Sequence, residues 1–148
     1  MAGSVLVDAG FLVAFLSRRD SNHHWAATQA PRLPPPWQSC DAALSEAFHL
    51  LGLRGAPQLA ALLRRRAVVS TFHLSNAVEE ILTLMQKYSD LPMSLADACL
   101  VRMTETMPDP VILTTDADFR IYRRHNRQTV PCVMPAEWSA MRGPSRGR

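Results

Sequence analysis

Hydrophobic positions fall into two rhythms along the chain. Short, dense runs rich in β-branched residues at Ser4–Val7, Val68–Phe72, Val111–Thr114 and Thr129–Val133 predict buried strands, and Trp37–Cys40 carries a weaker strand signal. Between them, helical spacing takes over. Leu44, Ala47, Phe48 and Leu51 repeat at i, i+3, i+4 and i+7, which predicts a helix over Asp41–Leu51. Val78, Ile81, Leu82 and Met85 mark a second amphipathic helix, and Ser94 opens an apolar one that runs to about Thr106. Shorter helices are predicted at Phe11–Leu16 and His24–Gln29. Gly52 and Gly55 close the Asp41–Leu51 helix, and Pro57 starts another that reaches about Arg66. Proline breaks the pattern at Pro31 and Pro34–Pro36, at Leu91-Pro92, and at Pro108 and Pro110. Asp116 begins a further turn or helix.

Strands alternating with helices predict an α/β domain around a mostly parallel sheet, with any site at the carboxyl ends of the strands. The 148 residues suit one domain, expected over residues 1–141, followed by a basic tail at 142–148 expected to be disordered. No apolar run reaches the roughly 18 residues of a spanning helix, and no basic patch precedes the first apolar stretch; the expectation is a cytoplasmic protein without a membrane contact. The net charge of +3 comes almost entirely from arginine, since Lys87 is the one lysine; this permits nucleic-acid contact without demanding it. Cys40, Cys99 and Cys132 are odd in number, widely spaced and without a CxxC, so reduced thiols are expected, with neither a disulfide framework nor structural zinc.

The candidate chemistry lies in the acids. Asp8 directly follows the first strand run, and Asp116 follows Val111–Leu113 after two threonines. Asp97 and Glu46 sit in largely apolar helical stretches. Each also fits an ordinary structural role. Asp8 and Asp116 can cap helices, Ser94 and Asp97 have capping-box spacing, and Glu46 can face water. Taken together, carboxylates in apolar surroundings are costly unless paired, bonded or bound to metal. If they converge, a hard divalent cation is the natural counter-charge, and such a site can activate water and steady a phosphoryl oxygen. Asp118 is a further candidate, through water or as a cap.

At these residues the chain resembles the PIN-domain family, and within it the VapC-like toxins of type II toxin–antitoxin pairs. The matching segments are Val5-Leu6-Val7-Asp8-Ala9-Gly10, Leu44-Ser45-Glu46-Ala47, Tyr88 through Ala98, and Thr114-Thr115-Asp116-Ala117-Asp118-Phe119, and their order is more specific than any one of them. The resemblance implies a three-layer α/β/α sandwich with a sheet of about five strands. It implies Asp8, Glu46, Asp97 and Asp116 as catalytic acids. Asp8, Asp97 and Asp116 would be the chief Mg²⁺ (or Mn²⁺) ligands, with Glu46 and Asp118 able to join directly or through water. The implied activity is endonucleolytic hydrolysis of RNA, and the implied partners are RNA, an antitoxin protein and a second copy of the chain. The chain departs from the family in one respect: many members carry Ser or Thr soon after the first Asp, where Ala9-Gly10 stand here.

Three other readings compete; one is a DNA-directed or flap-type nuclease, which the same metal site could serve, although the small size favours RNA. The same fold with a weak site would be an RNA- or protein-binding module. A phosphorelay receiver would need an acceptor Asp after the third strand and a late Lys, yet that strand ends Ser70-Thr71-Phe72-His73 and no lysine follows Lys87. The histidines show no ligand spacing. Arg64–Arg66 suit a helix end or RNA steering, and Arg120, Arg123 and Arg124 follow the fourth acid closely enough to meet phosphate.

Overall fold

A computed structural model describes residues 3–136. The expected end of the domain at 141 and the basic tail lie outside the described residues. Among the described residues seven strands and five α-helices follow one another as β1 (Ser4–Val7), α1 (Ala9–Leu16), α2 (His23–Gln29), β2 (Trp37–Cys40), α3 (Asp41–Arg64), β3 (Val68–Phe72), α4 (Val78–Lys87), α5 (Leu95–Thr106), β4 (Pro110–Leu113), β5 (Arg123–Arg124), β6 (Gln128–Thr129) and β7 (Cys132–Val133).

β1 is buried along its whole length, the signature of a central strand covered on both faces. It pairs in parallel with β2 on one side and β4 on the other, and the five-stranded sheet runs β3-β2-β1-β4-β7 with every pair parallel. Successive side chains of β1 point to opposite faces. Leu6 accordingly joins one core with Ile81, Leu100, Met103 and Ile112, under α4 and α5. Val5 and Val7 join the other with Phe11, Leu12, Trp37 and Leu59, under α1–α3. Phe11 packs edge-on to both Trp25 and Trp37, which fixes α1 and α2 over the β2 side of the sheet. The result is the expected three-layer α/β/α sandwich.

Three features differ from the periodicity reading. Gly52 does break the helix, with φ 66° and ψ −167°, but Gly55 does not; the chain re-enters helix at once, so α3 is one 24-residue element with a kink. The expected strand over Thr129–Val133 is two. Pro131 cannot donate to a ladder, and it separates β6, which pairs antiparallel with β5, from β7 at the edge of the main sheet. The β5–β6 hairpin itself carries no apolar alternation, which is why periodicity missed it. Cys40 and Cys99 are buried, Cys132 is half-buried, and all three are free thiols as expected.

The strand order reverses between β1 and β4. Connections from β1 lead away to one side through β2 and β3, while β4 lies on the other. The crevice at the carboxyl ends of these two strands is where open α/β sheets place their ligands.

Candidate active site

Asp8 leaves β1 at that crevice and caps α1. Its Oδ1 accepts the Phe11 N–H at 2.8 Å, and its Oδ2 accepts the Thr114 hydroxyl. Across the reversal point, Thr114 closes β4 and its Oγ1 also accepts the Asp116 N–H at 2.9 Å, so one hydroxyl fixes two acids at once. Asp116 caps a short 3-10 turn by accepting the Asp118 N–H at 2.9 Å. Asp97 lies in the first turn of α5, where Ser94 caps the helix by accepting the Asp97 N–H at 3.0 Å. Tyr122, fully buried, donates its hydroxyl to Asp97 Oδ2 at 2.8 Å.

Together these acids line one cleft of about 140 Å³, whose walls are Asp8, Ala9, Gly10, Glu46, Leu50, Ala96, Asp97, Leu100, Thr115 and Asp116. All four expected acids are present, carried by β1, α3, α5 and the loop after β4. Capping leaves the same aspartates able to face the cleft: a cap engages only part of each carboxylate's acceptor capacity. Glu46 is exposed, as a wet-face residue should be, and still reaches the rim. Asp118 is held beside Asp116 but does not line the cleft.

The electrostatics are unfavourable as they stand. Asp8 is only 7% exposed, and burial pushes its carboxyl from the ordinary 3.8 up to about 7. The Thr114 and Phe11 hydrogen bonds pull it back in part, while the charges of Asp116 and Asp97 push it further up. Burial also raises Asp97; the Tyr122 hydrogen bond opposes this and the Asp116 charge adds to it. Burial and the bond to Asp97 in turn hold the Tyr122 phenol far above its usual range, so it remains a donor. Among the described residues no ion pair engages any of the four acids. Buried like charges without a counter-ion are what a cation would relieve. The donors are all oxygens, which suits a hard divalent ion and excludes a soft one. Among the described residues no three His, Cys, Asp or Glu side chains form a ready-made holding group.

Two residues missed by the sequence reading complete the site. Thr114 and Tyr122 orient three of the acids between them. Thr114 had a signal, a hydroxyl two residues before an acid at a strand end; Tyr122 had none, because its partner is 25 residues away. Gly10 is explained by Thr115. A Cβ at position 10 would fall on Thr115 Oγ1, so the hydroxyl absent after the first acid is supplied at the cleft from the other strand's loop. The arginines after the fourth acid do not enter the cleft. Arg123 donates to the carbonyls of Arg120, Ile121 and Tyr122, and Arg124 donates to Thr104 and Gln128.

Comparison with known proteins adds to this geometry. A family model described as PIN domain matches residues 5–124. Among solved structures, Mycobacterium tuberculosis VapC20, titled a sarcin-ricin loop cleaving toxin, superposes with a TM-score of 0.61 at 22% identity, over 68% of this chain and 81% of that one. At that identity the likeness is one of fold. No curated protein matches the sequence. Among the described residues no helix is long and apolar enough to cross a membrane.

Proposed function

The chain belongs to the PIN-domain family, and from that premise we propose that it is a metal-dependent endoribonuclease serving as the toxin of a toxin–antitoxin pair. One observation carries the reading: four acids from separate elements line one small cleft at the strand-order reversal, and among the described residues no cation forms an ion pair with the buried Asp8. Asp8, Asp97 and Asp116 would hold Mg²⁺ or Mn²⁺, with Glu46 and, through water, Asp118 completing the shell. Bound there, the ion would supply Lewis acidity and lower the pKa of a bound water toward neutrality.

The chain's own residues do the rest. Thr114 and the Phe11 N–H fix the Asp8 carboxylate, and Tyr122 fixes that of Asp97, so neither acid has to be ordered at the moment of reaction. Glu46, exposed at the rim, would help orient the attacking water. The Thr115 hydroxyl lines the cleft and is available to donate to a phosphoryl oxygen. The likeness to VapC20, a sarcin-ricin loop cleaving toxin, supports RNA as the substrate class and an antitoxin as a partner; a second copy of the chain is a further proposed partner.

The test is incubation of purified, partner-free chain with total RNA and Mg²⁺ or Mn²⁺. Cleavage that stops with EDTA and is absent from Asp116→Asn is the expected result. Inert wild type under every metal condition would leave an RNA- or protein-binding module as the better reading.

A further inference from the structure

We propose that the groove between α1 and α3 is the track along which single-stranded RNA enters the acidic cleft, held through its phosphates by Arg18, Arg19 and Arg54. The proposal rests on the nuclease reading and adds the path of the substrate.

The groove has a volume of about 350 Å³ and meets the acidic cleft at Leu50, which lines both and is 56% exposed. Its polar lining includes three arginines and no acid. Among the described residues Arg18, Arg19 and Arg54 make no side-chain hydrogen bond or ion pair, whereas Arg102 is paired with Glu80 and Glu105, and Arg123 and Arg124 are spent on backbone carbonyls. Two elements set the spacing. α1 is capped by Asp8 in the cleft and ends at Leu16, two residues before Arg18 and about 12 Å further along its axis at 1.5 Å per residue. α3 presents Glu46 and Leu50 one turn apart, an acid and then an apolar position, and Leu50 and Arg54 both line the groove. The Gly52 kink lies between the last two and sets where Arg54 stands.

The chemistry selects the occupant. Guanidinium forks match phosphate oxygens in pairs, and a groove free of carboxylates carries no repulsion against a polyanion. Single-stranded RNA leaves each phosphate open to such a groove, while duplex RNA is met mostly across its wide minor groove.

The experiment measures binding of fluorescein-labelled, mixed-sequence single-stranded RNA to full-length Asp97→Asn chain by anisotropy across a salt series. It is repeated with R18Q/R19Q/R54Q added and, as a charge-matched control, R64Q/R65Q/R66Q at the far end of α3. Each phosphate contact on a single strand contributes about 0.7 to the slope of log K against log salt. The groove variant is expected to lower that slope by about 2 and the affinity at least tenfold, and the control to leave the slope alone. Equal losses in both variants, or none in the groove variant, would overturn the track, as would intact RNA binding with lost binding to a polyglutamate peptide, which marks a protein site. With the nuclease active, an unchanged slope sinks the track alone; no RNA binding by any variant and no cleavage by wild type sinks the nuclease reading with it.

Discussion

Replacing Asp8 with Asn should stabilise the metal-free protein at alkaline pH while abolishing its activity. Asp8 is buried, and its pKa rises from 3.8 to about 7 on folding. For an acid so shifted, the unfolded chain releases its proton first. Folding stability is therefore unaffected below about pH 4, falls as pH climbs from 4 to 7, and levels off above 7. At 1.36 kcal/mol per pKa unit, the cost of the charge is about 1 kcal/mol at pH 4.5 and about 4 kcal/mol by pH 8. Asn removes the charge and keeps an oxygen for the Phe11 N–H. It forfeits the Thr114 hydroxyl bond, worth about 1 kcal/mol. The net expectation is no change at pH 4.5 and a gain of about 2–3 kcal/mol at pH 8. Urea unfolding in EDTA at the two pH values reads this directly. Added Mn²⁺ should close the pH 8 gap by stabilising the wild type alone. A variant less stable than wild type at pH 8, or a difference independent of pH, would refute the claim that Asp8 is an uncompensated buried charge.

Gly52→Ala should destabilise by about 1–3 kcal/mol, because φ 66° with ψ −167° is open essentially only to glycine although the space around it is empty; a shift in denaturation midpoint under 0.5 kcal/mol would contradict this. Gly10→Ser should lower Tm through collision with Thr115, and adding Thr115→Ala should restore it, since the two side chains compete for one space; no recovery in the double variant would show that the contact does not matter. Tyr122→Phe removes the hydrogen bond that holds the Asp97 pKa down, so the acid limb of the cleavage pH profile should move to higher pH, with activity near neutrality reduced up to tenfold; an unmoved limb would detach Tyr122 from the site.

The parts legible in the sequence were those in which local pattern and long-range structure agree. Asp8 and Asp116 could be read because an acid directly after a buried apolar run sits at a strand's carboxyl end, and in a parallel sheet those ends gather on one side. Asp97 and Glu46 could be placed on helices by period, but only the packing of α3 and α5 beside the β1–β4 crevice brings them to the same cleft. Other features depended on contacts distant in sequence. Pro131 divides an apolar run that composition alone joins, and Tyr122 reaches Asp97 across the core. Arg120, Arg123 and Arg124 drew attention by closeness to Asp116 in sequence, yet the last two are committed to their own hairpin and its neighbours. Arg18, Arg19 and Arg54 drew none, because they become neighbours only when α1 packs on the kinked α3.

The central claim, that these acids form one metal site that cuts RNA, is tested most directly by measuring Mn²⁺ binding by calorimetry and RNA cleavage on the same preparations of wild type and Asp97→Asn. The account predicts that wild type binds the ion and cleaves, and that the variant loses both together, cleavage falling at least a hundredfold. A variant that cleaves as wild type does, or a wild type that binds no ion and cleaves equally in EDTA, would contradict it.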